Sequence, residues 1–231
     1  MDKTFDIMTI IAHPDDAEFG AAGSVAKWIA EGKTAIYIVC TNGEKGTSDR
    51  NLSPENLARM RQQEQLEAAQ QLGVTDVVFL GMPDQGLEET PAFRESIVKE
   101  IRRYRPNIVL SPDPYRRYLW HRDHRIVGQV VMDAIFPFAR DHMAYPEMLR
   151  EGLEPHKVKE VYFFGTEDVN HHIDITETFP QKLAALKCHA SQVRELKVDD
   201  LESWLKKRCQ RMAENTSYSL AEAFHRIQLP E

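Results

Sequence analysis

The 231-residue chain has only three cysteines, Cys40, Cys188 and Cys209. An odd, widely spaced trio excludes a disulfide framework and fits a reducing cytoplasm, so the three are read as small apolar packers. No apolar run approaches a membrane span. The opening residues, Met1-Asp-Lys-Thr-Phe-Asp, lack the charged and apolar regions of a signal peptide. A cytoplasmic location is therefore expected, with no membrane partner. Positive charge is not in excess either: 29 Lys and Arg stand against 36 Asp and Glu, a net charge of -7, and nucleic acid is not an expected partner. There is no Gly-x-Gly-x-x-Gly after the first strand, which removes the dinucleotide fingerprint, and no Gly-x-Ser-x-Gly elbow. Internal repeats, low-complexity tracts and linkers are also missing.

What is present is enough apolar sequence, 42% of residues, to bury one large core, and residues 1–231 are read as one domain. Apolar runs at 5–12, 34–41, 76–80 and 107–111 read as strands. Between them, helices are expected over about 17–32, 54–72 and 91–104, the second opened by Ser53-Pro54-Glu55 as cap, first-turn proline and acid. Four strands alternating with three helices predict an α/β fold with parallel strands and right-handed crossovers. Residues 112–124 read as a loop, followed by a helix over 125–139, an irregular proline-bearing stretch over 137–157 and a fifth strand over 158–164. A short strand is expected at 170–175, then helices over 179–189 and 199–214, with Asp199 as the cap of the last.

Two polar clusters carry the chemistry. His13-Pro-Asp-Asp16 follows the first strand and His121-Arg-Asp-His124 follows the fourth. In a sheet of order 3-2-1-4 those strands are neighbours whose crossovers leave in opposite directions, which opens a crevice at their C-terminal ends. Two clusters more than a hundred residues apart thus fall on opposite lips of one cleft. Three histidines and three aspartates converging there suit zinc, or less selectively iron or cobalt. A carboxylate beside the metal can take a proton from water, and a spare imidazole can stabilise an oxyanion or protonate a leaving nitrogen. Glu18 is assigned to the helix surface and His171-His172 to a polar turn. His142, His156 and His225 are assigned to the surface.

Ala12-His-Pro-Asp-Asp-Ala-Glu-Phe-Gly-Ala-Ala-Gly23 and His121-Arg-Asp-His124 resemble the two signatures of the LmbE/PIG-L-type zinc-dependent N-acetylglucosaminyl deacetylases. Thr41-Asn-Gly-Glu-Lys-Gly46, Arg61-Gln-Gln-Glu64, Met82-Pro-Asp84, His189-Ala-Ser-Gln192 and Ala221-Glu-Ala-Phe224 extend the likeness over nearly the whole chain. The resemblance implies a Rossmann-like three-layer fold with a mostly parallel sheet of order 3-2-1-4-5. It implies Zn2+, with Fe2+ or Co2+ as alternatives, held by His13, Asp16 and His124. Asp15 would be the general base, His121 the oxyanion stabiliser or acid, and Asp123 the group orienting an imidazole. Arg61, Asp84 and Glu44 would serve substrate binding. The implied partner is an N-acetylated amino sugar, such as chitobiose, N-acetylglucosamine or a conjugate of it, and the implied assemblies are trimers or hexamers. Arg122 departs from the family's proline. A hydrolase of a non-sugar amide or ester would use the same site, and a non-catalytic Rossmann-like binder is the third reading.

Overall fold

The computed structural model describes residues 4–230. Strand β1 (Ile7–Ile11) is buried along its whole length, as is β2 (Ala35–Thr41), which is how central strands covered on both faces behave. β3 (Asp76–Met82) pairs with β2, and β4 (Ile108–Pro112) with β1; β5 (Glu160–Phe164) pairs with β4, all of them parallel. Two further strands, β6 (His171–Asp174) and β7 (Ala221–Gln228), complete a seven-stranded sheet of order β3-β2-β1-β4-β5-β7-β6. β7 runs antiparallel to both of its neighbours. The expected order is therefore present, extended by an antiparallel edge.

Three of the expected helices do not match the boundaries read from the sequence. The expected helix 17–32 is broken into α1 (Asp16–Gly20) and α2 (Ala22–Ala30). The Lys182 ammonium donates to the carbonyls of Glu18 and Phe19, drawing them toward another element at the break. α3 (Pro54–Leu72) is capped by Ser53 as expected, and α4 (Pro91–Tyr104) by Thr90. α5 (Arg122–Ile135) starts three residues earlier than expected. His121 is its N-cap, accepting the Asp123 backbone N–H at 3.2 Å, so His121-Arg-Asp-His124 lies on the first turn of a helix and not in a loop. A Cβ on Gly128 would lie 2.4 Å from the Pro112 carbonyl oxygen. Only glycine lets α5 press that closely on the end of β4.

A short α6 (Glu147–Arg150) precedes β5. α7 (Phe179–Cys188), α8 (Ala190–Glu195) and α9 (Leu201–Met212) follow β6. Asp200 caps α9, accepting from the Ser203 N–H, where Asp199 was expected. Alternate residues of the central strands face two separate cores. Ile7, Ile11, Tyr37 and Val39 pack with α1, α2, α3 and α7. Met8, Ile10, Ile36 and Ile38 pack with α4 and α5.

β7 escaped the sequence reading because Ala-Glu-Ala-Phe-His-Arg-Ile-Gln is too polar for an interior strand. Its Glu222 is 1% exposed and paired with Lys182 at 2.6 Å, while also accepting from the Gly23 and Ser24 N–H groups. Removing one member of such a pair strands the other charge in the core. Lys182→Met should destabilise the fold by about 3–5 kcal/mol, read by denaturant unfolding. A loss below about 1 kcal/mol would mean that Glu222 is neutralised or hydrated there instead.

Candidate active site and metal centre

The crevice between the ends of β1 and β4 gathers both polar clusters. Thr41 fixes its floor, donating backbone N–H and hydroxyl to the Ala12 carbonyl, each at 2.9 Å. The Asp16 carboxylate turns back on its own strand and accepts the N–H groups of Ala12 and His13 at 3.1 and 2.9 Å. Its other oxygen lies 2.8 Å from His124 Nε2. His13 Nδ1 lies 3.3 Å from the same His124 nitrogen and 3.5 Å from Asp16 Oδ2.

His13 Nδ1 and His124 Nε2 stand 3.3 Å apart, and the Asp16 carboxylate meets the first through Oδ2 at 3.5 Å and the second through Oδ1 at 2.8 Å, separations of the order a tetrahedral metal needs. Zinc bonds of roughly 2.0–2.1 Å put neighbouring ligand atoms about 3.3–3.4 Å apart. The residues present therefore fit the ion. Two imidazole nitrogens 3.3 Å apart can share one hydrogen bond when no ion is present, or turn both lone pairs to a common ion. Nitrogens of His13, His121 and His124 also lie within 4.8 Å of one another, as do ligand atoms of His13, Asp84 and Asp123. Asp16 also reaches the His13 and His124 imidazoles, one through each of its oxygens.

Behind the trio stands a ring of carboxylates. His13 Nε2 is 3.1 Å from Asp84 and 3.4 Å from Asp123, the outer support that a metal-bound imidazole needs to hold its orientation. Burial alone would lower the pKa of His13, but Asp123, Asp16 and Asp84 outweigh it and raise it well above the ordinary imidazole value. Burial opposes ionisation of Asp16, yet His124 and His13 hold its pKa well below the usual carboxylate range. Asp123 also accepts the Gln85 N–H at 2.7 Å. Arg122 donates to the Leu87 carbonyl, which ties the start of α5 to the loop carrying Asp84.

Asp15 occupies a left-handed backbone conformation, φ 107°, which is costly for a residue with a side chain. Its N–H donates to Gln65 Oε1 at 3.1 Å. Gln65 donates in turn to Glu18, whose other oxygen sits 3.1 Å from His189 Nε2. Glu18 is wholly buried, contrary to the surface position expected for it; a buried carboxylate is tolerable there because Gln65 and His189 receive it. Burial pushes the Asp15 pKa up to about 6, against the pull of Arg61 and with a push from Asp16. That range suits a group that must accept a proton near neutral pH. Gln65→Leu leaves the Asp15 N–H unpaired. The expected result is a loss of about 1–3 kcal/mol in stability and a fall confined to kcat, checked by unfolding and steady-state kinetics on one preparation.

The three residues assigned to substrate binding are placed differently from one another. Arg61 is buried; it donates to the carbonyls of Gly43 and Pro14 and meets Asp15 at 3.2 Å. A Cβ on Gly43, which has φ 64°, would lie 2.4 Å from that guanidinium, so the 43–46 turn is wrapped on Arg61. Asp84 is also buried, engaged by His13 and the Lys45 N–H. Glu44 accepts the Asp84 N–H at 2.8 Å and keeps its other oxygen without a hydrogen-bond partner. His171-His172 lies on β6, not in a turn. Sequence reasoning missed Gln65 altogether, since a glutamine inside a polar helix gives no signal.

The GlcNAc-PI de-N-acetylase (PIG-L) family model matches residues 8–135. The chain belongs to this family. Among relatives of this PIG-L protein is a diacetylchitobiose deacetylase of Thermococcus kodakarensis, 34% identical over 86% of this chain and 73% of that one. A probable N-acetyl-alpha-D-glucosaminyl L-malate deacetylase 2 of Bacillus anthracis is 29% identical over 87% of this chain and 92% of its own length. In three dimensions the PIG-L fold here superimposes on N,N'-diacetylchitobiose deacetylase from Pyrococcus horikoshii. The TM-score is 0.90 and the identity 29%, over 96% of this chain and 83% of that one.

Proposed function

We propose that the chain, acting as one domain, is a metal-dependent deacetylase that hydrolyses the N-acetyl group of an N-acetylglucosamine-type sugar. The observation that carries this reading is the trio His13, Asp16 and His124 standing beside Asp15, a buried carboxylate outside the trio, in a family whose relatives are named as sugar deacetylases. A divalent ion held by His13, Asp16 and His124, with zinc favoured by the two-imidazole, one-carboxylate donor set, supplies Lewis acidity and acidifies water.

Asp15 takes the proton of the attacking water, and its raised pKa keeps it basic enough to do so. His121 Nδ1 accepts the Asp123 N–H, so in the neutral ring the proton sits on Nε2. Burial and the neighbouring His13 and His124 lower the His121 pKa, which favours that neutral ring. Of the two roles open to His121, donation from Nε2 to the developing oxyanion is the better supported. Asp123 and Asp84 orient His13. Arg61 acts on the Asp15 turn and the 43–46 loop, and Glu44 acts on Asp84 by accepting its backbone N–H.

The test is acetate release from N-acetylglucosamine and its disaccharide, with and without a chelator and zinc add-back. Chelator-sensitive release supports the reading. No release from either sugar, with metal bound, moves the substrate outside this class.

A further inference from the structure

Next to the candidate metal trio lies a cavity of about 300 Å³ that the mechanism above does not use. Asp16 and His124 are part of its lining. Its sides are Phe19, Trp120, Phe164 and Trp204. Trp120 is held in place, donating its indole N–H to the Asp113 carbonyl at 2.9 Å and setting its ring edge-on to His124 at 4.6 Å. Trp204 packs edge-on against Phe19 at 6.2 Å. Arg208, on α9, lines the cavity too, and it also lines an adjoining cavity of about 500 Å³ together with Arg116 and Arg211.

These arginines are not neutralised by the protein. Among the described residues none of the three forms an ion pair with a carboxylate, and Arg208 Nε is shut off from solvent with no hydrogen-bond partner. Arg116 lies over the Trp120 ring at 4.5 Å, so the positive cluster and the aromatic wall are continuous. Burial lowers the Arg208 pKa, and Arg116 and Arg211 push in the same direction against Cys209 and Glu222. The carboxylates nearby act on this charge only at a distance, Glu222 on Arg208 and Glu167 on Arg116. Glu222 is committed to Lys182, and Glu167 to Arg117 at 3.3 Å; Glu214, which lines the adjoining cavity, pairs with none of the three. A guanidinium half-buried beside two like charges is unfavourable unless an anion completes the site.

Building on the deacetylase reading, we propose that this cavity receives the aglycone of the sugar, and that Arg208, with Arg116 and Arg211, binds an anionic group on it, a carboxylate or a phosphate. Trp120 and Trp204 pack against the body of that aglycone, and a guanidinium fits either anion bidentately. The Arg208 cluster then sets specificity through binding and takes no part in the hydrolytic step.

Three N-acetylglucosaminides of matched size decide it: the phenyl glycoside, its para-carboxyphenyl counterpart and its para-phosphorylated counterpart. The measured quantity is the ratio of kcat/KM for each anionic substrate to that for the neutral one. In the wild type we expect a ratio of at least roughly ten, expressed in KM, since a charged hydrogen bond to a desolvated partner is worth about one decade or more. Whichever anionic arm is preferred identifies the source of the charge. In Arg208→Gln the ratio should fall to about one, and in the exposed Arg211→Gln it should fall partway. Because each ratio is internal to one preparation, partial loss of folded protein does not alter it. A wild-type ratio near one, or a ratio that survives in Arg208→Gln, overturns the proposal. If none of the glycosides nor free N-acetylglucosamine releases acetate, the deacetylase reading fails instead. Calorimetric binding of para-carboxyphenyl glucosaminide to wild type and Arg208→Gln then still decides the anion site: it stands if only wild type binds and falls if both or neither do.

Discussion

Asp15→Asn should lower kcat by about 10²–10⁴-fold while the protein keeps its full complement of metal. General bases contribute on that scale, and the amide cannot accept the proton. Asparagine is the informative substitution because it tolerates the left-handed backbone that Asp15 adopts at φ 107°. It also keeps the side chain's size beside Arg61 and Asp16. Asp15→Ala should show the same kinetic loss plus a stability loss, since a Cβ-bearing residue without a polar side chain is strained there. Metal content by elemental analysis and single-turnover acetate release separate the two effects. Near-normal turnover in Asp15→Asn would reassign the base, and Asp84 or Asp123 would be examined next.

His124→Ala should abolish both activity and stable metal binding. His124 Nε2 meets both His13 and Asp16, so its removal leaves two donors and an open wall against Trp120. Zinc-type sites depend on three protein ligands, and two rarely hold the ion. The fold should survive, because His124 sits on the first turn of α5 while the apolar face of that helix, from Val127 to Ile135, is packed elsewhere. Dialysis of the wild type against a chelator should reproduce the loss, and zinc should restore it in wild type but not in His124→Ala. Restoration by zinc in the variant would show that His121 replaces His124, an outcome that the closeness of the three imidazoles makes specific enough to look for.

Much of this was legible from residues alone, and the reasons differ by element. β1, β2 and β4 announce themselves as apolar runs because both faces of each are covered. The convergence of His13 and His124 follows from topology, since only the order of strands puts their ends together. β7 was illegible because its Glu222 is compensated by Lys182, forty residues away, and a compensated charge looks like a solvated one until the partner is seen. Glu18 was misread for the same reason, with His189 and Gln65 as its hidden partners. Asp84 lies beside His13 and Arg61 beside Asp15, but which way each side chain turns depends on contacts that sequence does not encode locally. Arg208 is one basic residue among several on α9, and nothing in the spacing marks it as the one without a partner.

The trio has a further consequence for how the molecule comes apart. Its donors belong to two segments more than a hundred residues apart in the chain, joined through the contacts of His124 with Asp16 and His13. An ion bound there is a crosslink between the start of α1 and the start of α5, and it binds only the folded arrangement. By mass action it adds RT ln(1 + [metal]/Kd) to stability, about 4 kcal/mol at a thousandfold excess over Kd. That gain is concentrated at one seam, not spread over the sheet. Amide hydrogens around the β1 and β4 ends should therefore slow most on metal loading, while those of β6 and β7 stay nearly unchanged. In a cell short of the metal, this seam would be the first place the protein opens to a protease.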